Sequence, residues 1–227
     1  EKITNSISAS SAGSCTAPAQ RKAKMNDLPK AMMARVFAIM TFTAVTGSIV
    51  FNFTTNGNGE LLRERVKGAV QDPAELALML FVIFSLASFA QLVVGKLIDR
   101  FPLKSIYVPI VLLQVPLFLL ASQVENWALF ATAIGYMLLV FGAIPFTDAM
   151  VVKYIDDRMR SRVTGARLAI GFGISSVVVA LIGPTVKAAG FPVVLMVLAG
   201  VSLAGAIALA FLPGDRDMSR AVLKPAE

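Results

Sequence analysis

Histidine is absent from all 227 residues, and cysteine occurs once, at Cys15. Without histidine there is no His-ligated metal or haem and no His general base. A single cysteine cannot close an intrachain disulfide. Charge is scarce as well: Asp, Glu, Lys and Arg together make up 15% of the chain, against roughly a quarter in an ordinary soluble domain. The usual catalytic fingerprints are also missing. Gly95-Lys96 is followed by Leu97 and lacks the upstream glycine of a phosphate-binding loop. There is no G-x-S-x-G, no pair of catalytic carboxylates and no channel selectivity-filter sequence. No enzyme and no bound cofactor are expected.

What fills the chain is apolar. Hydrophobic residues account for 56%, and the mean hydropathy is +0.74. A water-soluble core could not hide that much apolar surface, so lipid is the expected solvent. Six stretches carry no Asp, Glu, Lys or Arg: 36–59, 76–95, 105–124, 126–147, 168–186 and 188–214. The shortest has 19 residues, close to the roughly 20 that a helix needs to cross about 30 Å of hydrocarbon. Runs this long and uniform favour helices over barrel strands, which alternate and are about half as long. The fold class is therefore all-α: six transmembrane helices over about 36–55, 73–95, 105–122, 127–151, 164–186 and 191–212.

The charge pattern orients these spans. The net charge is +7. Seventeen of the 21 Lys and Arg lie in the N-terminus, the 95–104 loop, the 151–167 loop and the C-terminus, while only Arg63, Arg65, Lys67 and Lys187 lie on the other side. Basic loops stay in the cytoplasm, so both ends are expected there. This makes the basic balance a signal of topology rather than of a nucleic-acid surface.

Residues 1–30 are expected to be a disordered basic leader, 31–214 the membrane domain and 215–227 a cytoplasmic tail. The leader has no signal-peptide apolar core. Asn56-Gly57-Asn58-Gly59 reads as the turn that ends the first span. Pro73 suits the first turn of the second. Trp127 anchors the fourth at an interface. Pro109, Pro116, Pro145 and Pro184 are expected to bend helices. Gly165/Ala169/Gly173 and Gly200/Ala204 repeat at a spacing of four, which lets helices approach closely; ordinary bundle packing and a specific dimer face both remain open.

The loop between the second and third spans reads Gly95-Lys-Leu97-Ile-Asp99-Arg100-Phe-Pro-Leu-Lys104. It resembles the cytoplasmic signature of the major facilitator superfamily, G-x-L-x-D-R-x-G-R-K. Gly95, Leu97, Asp99, Arg100 and Lys104 match; Pro102 and Leu103 depart from the pattern. Val50-Phe51-Asn52, Pro145-Phe-Thr-Asp148 and Arg158-x-Arg160-x-Arg162-Val-x-Gly165 add supporting texture. The resemblance covers residues 30–213 and implies helices seven to twelve of a twelve-helix transporter, the C-terminal half built from two three-helix inverted repeats.

Physically, Gly95 would let two helices touch at the membrane edge. Asp99 would cap the positive end of a neighbouring helix. Arg100 and Lys104 would hold lipid phosphates or carboxylates. The family architecture implies that Asp99 docks on a helix of the other half, absent from this chain. The same resemblance places the first and fourth spans on the central cavity. Candidate solute contacts there are Asn52, Thr132 and Tyr136, because an amide and a phenol are hard to satisfy locally; Thr and Ser, by contrast, readily bond back to their own helix. Gln91 and Gln114 are expected to bond between helices.

None of the fourteen carboxylates lies near a span centre. Asp148 is the deepest, and it is expected to join a network with Lys153, Arg158 and Arg162. A coupling acid, if the carrier is proton-driven, would then sit in the missing half. Expected partners are membrane lipid, a small-molecule solute and either an N-terminal six-helix half or a second copy. The expected location is a bacterial inner membrane. A stand-alone six-helix protein that dimerises as an accessory component, and a channel-like pore, are the competing readings.

Overall fold

The computed structural model describes residues 30–66, 72–154 and 157–212, and the side chains of all of these except 30–33 and 152–160. The expected leader and tail lie outside the described residues. Every described element is an α-helix: α1 (Lys30–Arg65), α2 (Pro73–Ile98), α3 (Leu103–Gln123), α4 (Asn126–Gly142), α5 (Ile144–Tyr154) and α6 (Asp157–Ala210).

Five stretches are long and apolar enough to cross a membrane. The fifth, Ser161–Ala210, has 50 residues, roughly 75 Å of helix, more than twice a bilayer core. Gly190 interrupts it with φ 74° and ψ 161°, a backbone conformation open almost only to glycine. The chain reverses there. Arg167 on the first arm meets Asp148, and the last turn of the second arm meets Lys104, so both arms end on the same side of the bundle. Two crossings therefore fit within α6, and six-span architecture fits the whole. The gap between the expected spans 164–186 and 191–212 is reduced to this one residue, with helix on both sides.

The end of the bundle that holds the 99–102 link is called here the motif end, and the opposite one the hairpin end. The link is four residues, not nine: Gly95, Lys96 and Leu97 continue α2, and Leu103 and Lys104 open α3. The Asp72 carboxylate accepts the Ala74 N–H at 3.1 Å, so it caps α2, and Pro73 occupies the first turn, where its missing N–H is no loss.

The first span needs a correction. Asn56-Gly57-Asn58-Gly59 does not end it; α1 runs on to Arg65. Each of the two asparagines finds a hydrogen bond without a turn. Asn56 Nδ2 donates to the Asn52 carbonyl at 2.8 Å, and Asn58 is bonded by Tyr136. Beyond them Leu61, Leu62 and Val66 are buried. Tertiary burial thus outweighs the helix-breaking tendency of two glycines, which is about 1 kcal/mol each. The fourth crossing is broken instead, at Ala143. Pro145 has no N–H to give to the preceding turn, so α4 stops and α5 restarts.

Inside the bundle two apolar clusters are stacked along the membrane normal. The hairpin-end cluster centres on Ile83, Phe118, Leu129, Tyr136 and Phe191. The motif-end cluster centres on Val36, Ile106, Tyr107, Phe146 and Leu209. Tyr107 and Phe146 stack with ring centroids 4.8 Å apart.

Candidate functional site

Three polar assemblies interrupt this apolar interior. The first is at the motif end. The α2 N-terminus is capped by Asp72, but Asp99 at the other end caps no helix N-terminus among the described residues. It occupies the C-cap position of α2, and it forms no ion pair with a described residue. Asp99 and Arg100 are both exposed. A side chain at Gly95 would meet nothing within 4 Å. The helix contact expected at Gly95 is therefore not made among the described residues.

Lys104 does something the sequence reading did not assign. Its Nζ donates to the Ala210 and Leu212 carbonyls, both at 2.7 Å. The last carbonyls of a helix have no intrahelical donor and carry partial negative charge, so an ammonium there is well placed. Arg35 adds a longer bond to the Phe211 carbonyl at 3.4 Å. The final helix is thus tied to the starts of α3 and α1.

Among the described residues, Asp148 Oδ1 pairs with Arg167 at 2.9 Å, an arginine at the end of the 151–167 segment that the expected network did not include. The same Arg167 Nη2 donates to Thr147 Oγ1 at 2.9 Å. The side chains of Lys153 and Arg158 lie outside the described residues. Arg162 is exposed and forms no ion pair with a described residue. Arg167 on α6 lies level with Asp148 on α5. A signal for the pairing existed: Asp148 is the first charge after one apolar run, and Arg167 is the last before the next. Charges bounding consecutive runs on one side of a membrane lie at matched depth.

The second assembly is central. Thr43, Thr46, Gln114 and Ser202 are all buried and lie between the two apolar clusters. Thr43 donates to the Ile39 carbonyl at 2.8 Å, and Thr46 to the Thr43 carbonyl at 3.0 Å. Ser202 donates to Gln114 Oε1 at 3.3 Å. Gln114 is therefore an interhelical amide, while the threonines bond back to their own helix. Together with Tyr107 and Val140 these residues line a cavity of about 30 Å³, room for a water molecule or two. The second arm of α6 comes very close to α1 here: a Cβ on Gly205 would stand 2.9 Å from Thr46 Oγ1.

The third assembly is toward the hairpin end. The Tyr136 hydroxyl donates to Asn58 Oδ1, and both side chains are fully enclosed. Arg65 bonds the Ser122 carbonyl and Glu125 Oε1, both at 3.1 Å, and so ties the end of α1 to the α3–α4 link. Thr132 donates to the Ala128 carbonyl at 2.7 Å, and Asn52 to the Ser48 carbonyl at 2.8 Å. Asn52, Thr132 and Tyr136 are not gathered around one opening. Tyr136 faces the interior between α1 and α4, and Asn52 is satisfied by its own helix. Asn58 escaped the sequence reading because its Asn-Gly repeat looked like a turn.

One surface stands apart. Over residues 161–190 no side chain is buried. Gly165, Ala169, Gly173, Ser176, Ala180 and Gly183 are all exposed. Their spacings of three and four align them in one stripe along the helix. A Cβ on Gly165, Gly173 or Gly183 would meet nothing within 4 Å. The close approach that these glycines permit is not used among the described residues.

The sequence model of the Major Facilitator Superfamily matches residues 31–226. No curated protein matches the chain.

Proposed function

Because the chain belongs to the major facilitator superfamily, a family of membrane transporters and not of enzymes, we propose that it acts as the C-terminal six-helix half of a secondary carrier. The carrier moves a small solute by alternating access. A second six-helix bundle, an N-terminal half or another copy, closes against this one and rocks about a site between them. The basic motif end faces the cytoplasm, in a bacterial inner membrane.

The observation that carries this reading is the unpartnered stripe on 161–190. The stripe runs between exposed large apolar side chains such as Leu168, Phe172 and Val179, and its small residues allow another helix to approach closely. Asp99, Arg100 and Gly95 fit the same reading. Asp99 and Arg100 are exposed and Gly95 is half-buried, and they form a cluster with no partner among the described residues, at the edge where a second bundle would dock.

The test is cysteine scanning of the stripe in membranes, in a Cys15→Ser background. Single cysteines replace Ala169, Gly173, Ser176 and Ala180 in turn. On a face shared with a second bundle and a solute path, a charged maleimide reaches some positions from one side and others from the opposite side. Reaction with an apolar maleimide alone at every position would place the stripe in lipid. That result would return the chain to the reading of a stand-alone accessory protein.

A further inference from the structure

Arg167 is held in an incomplete way. One terminal nitrogen, Nη2, serves both Thr147 Oγ1 and Asp148 Oδ1, each at 2.9 Å. The other, Nη1, is buried and has no hydrogen-bond partner. A buried guanidinium N–H without an acceptor is unfavourable, and native structures rarely leave one. The Asp148 side chain is 67% exposed, whereas that of Arg167 is 28% exposed. The anion is therefore the loosely held member of the pair, and the cation is the enclosed one. The Thr147 hydroxyl donates to the Ile144 carbonyl at 2.7 Å, which turns its lone pairs toward the guanidinium and fixes its orientation.

We propose that Arg167 is an anion-recognition site, at which a carboxylate or phosphate displaces Asp148 and bridges both terminal nitrogens of the guanidinium. Asp148 grips with one oxygen on one nitrogen. An incoming oxyanion with two free oxygens can take the two-point geometry that suits a guanidinium, and it satisfies Nη1. Asp148 is then a resident placeholder that keeps the arginine neutralised while the site is empty. The surroundings favour an anion: Arg35, Lys96, Arg100 and Arg162 are at the same end of the bundle. Two sources share this chemistry, an anionic solute and the headgroup of an anionic lipid. Only the solute version rests on the proposed function. Binding is measured on the purified chain without transport, so either reading can fail alone.

The full chain is placed in phosphatidylcholine nanodiscs and titrated with inorganic phosphate and with succinate by calorimetry. Saturable binding of at least one anion is expected. Asp148→Asn should tighten it about tenfold, because the placeholder loses its charge, and Arg167→Lys should weaken it about tenfold, because an ammonium cannot bridge two oxygens. Arg167→Gln should abolish it. If it unfolds the chain, Arg167→Lys, which keeps the charge, decides the matter. A second arm uses nanodiscs containing phosphatidylglycerol. If these block the soluble anions, and if their thermal stabilisation of the wild-type chain exceeds that of Arg167→Lys, the headgroup is the occupant and the site stands. Equal affinities in wild type, Asp148→Asn and Arg167→Lys overturn the proposal. So does the absence of both anion binding and a phosphatidylglycerol shift in the wild-type chain.

Discussion

The Tyr136 hydroxyl on α4 donates to Asn58 Oδ1 on α1, across 78 residues of sequence and with both side chains sealed from the surface. The Asn58 Nδ2 has no partner of its own, so this single bond is what compensates the buried amide. It also explains why α1 continues through an Asn-Gly repeat.

Tyr136→Phe should therefore destabilise the bundle by about 1–3 kcal/mol, because it strands a buried carbonyl oxygen. Thermal unfolding in detergent measures this. In the double variant Tyr136→Phe/Asn58→Leu the unpaired amide is gone, and stability should recover in part. A double variant worse than the sum of its parts would refute the account.

Gly205→Ala places a methyl group 2.9 Å from Thr46 Oγ1. Overpacking of this kind costs about 1–3 kcal/mol, and adding Thr46→Ala should relieve most of it. Gly200→Ala, where a Cβ meets nothing within 4 Å, is the control and should leave the melting temperature unchanged.

Gly190→Ala should cost about 1–3 kcal/mol, because φ 74° with ψ 161° is a backbone region that side chains avoid. Hydrogen exchange should rise at residues flanking the reversal, 186–194, more than elsewhere in α6. Uniform change along the helix would mean that the reversal is not where the strain falls.

Lys104→Met removes both donors to the Ala210 and Leu212 carbonyls. The expected loss is about 1 kcal/mol, given the partial exposure of the site. Faster amide exchange confined to the last turn of α6 is the diagnostic readout. Lys104→Arg, which keeps a cation there, should restore most of the protection.

Much of this was legible in the sequence because its physics is local. Apolar runs bounded by charges mark crossings, and Pro73, Pro145 and the basic segments mark where helices start, break or end. What escaped depends on neighbours distant in the chain. Asn58 is a turn residue by propensity and a helical one because Tyr136 receives it. Lys104 belongs to a loop motif by pattern, yet the carbonyls it holds are more than a hundred residues away. Arg167 was not expected beside Asp148 because the match in depth between α5 and α6 shows only once the two helices are folded together. The threonines bond back to their own helix and Gln114 bonds across helices, as expected, whereas the Asn52 amide finds an acceptor on its own helix.

The single-residue reversal in α6 has a consequence for biosynthesis. With helix on both sides of Gly190, there is no slack between the two arms. The first cannot settle in the bilayer while the second waits outside it on a tether. The pair has to enter as one hairpin, and Lys187 is the only charge in the sequence between Arg167 and Asp215. Synthesis must therefore proceed past residue 210 before the last third of the domain can be in place.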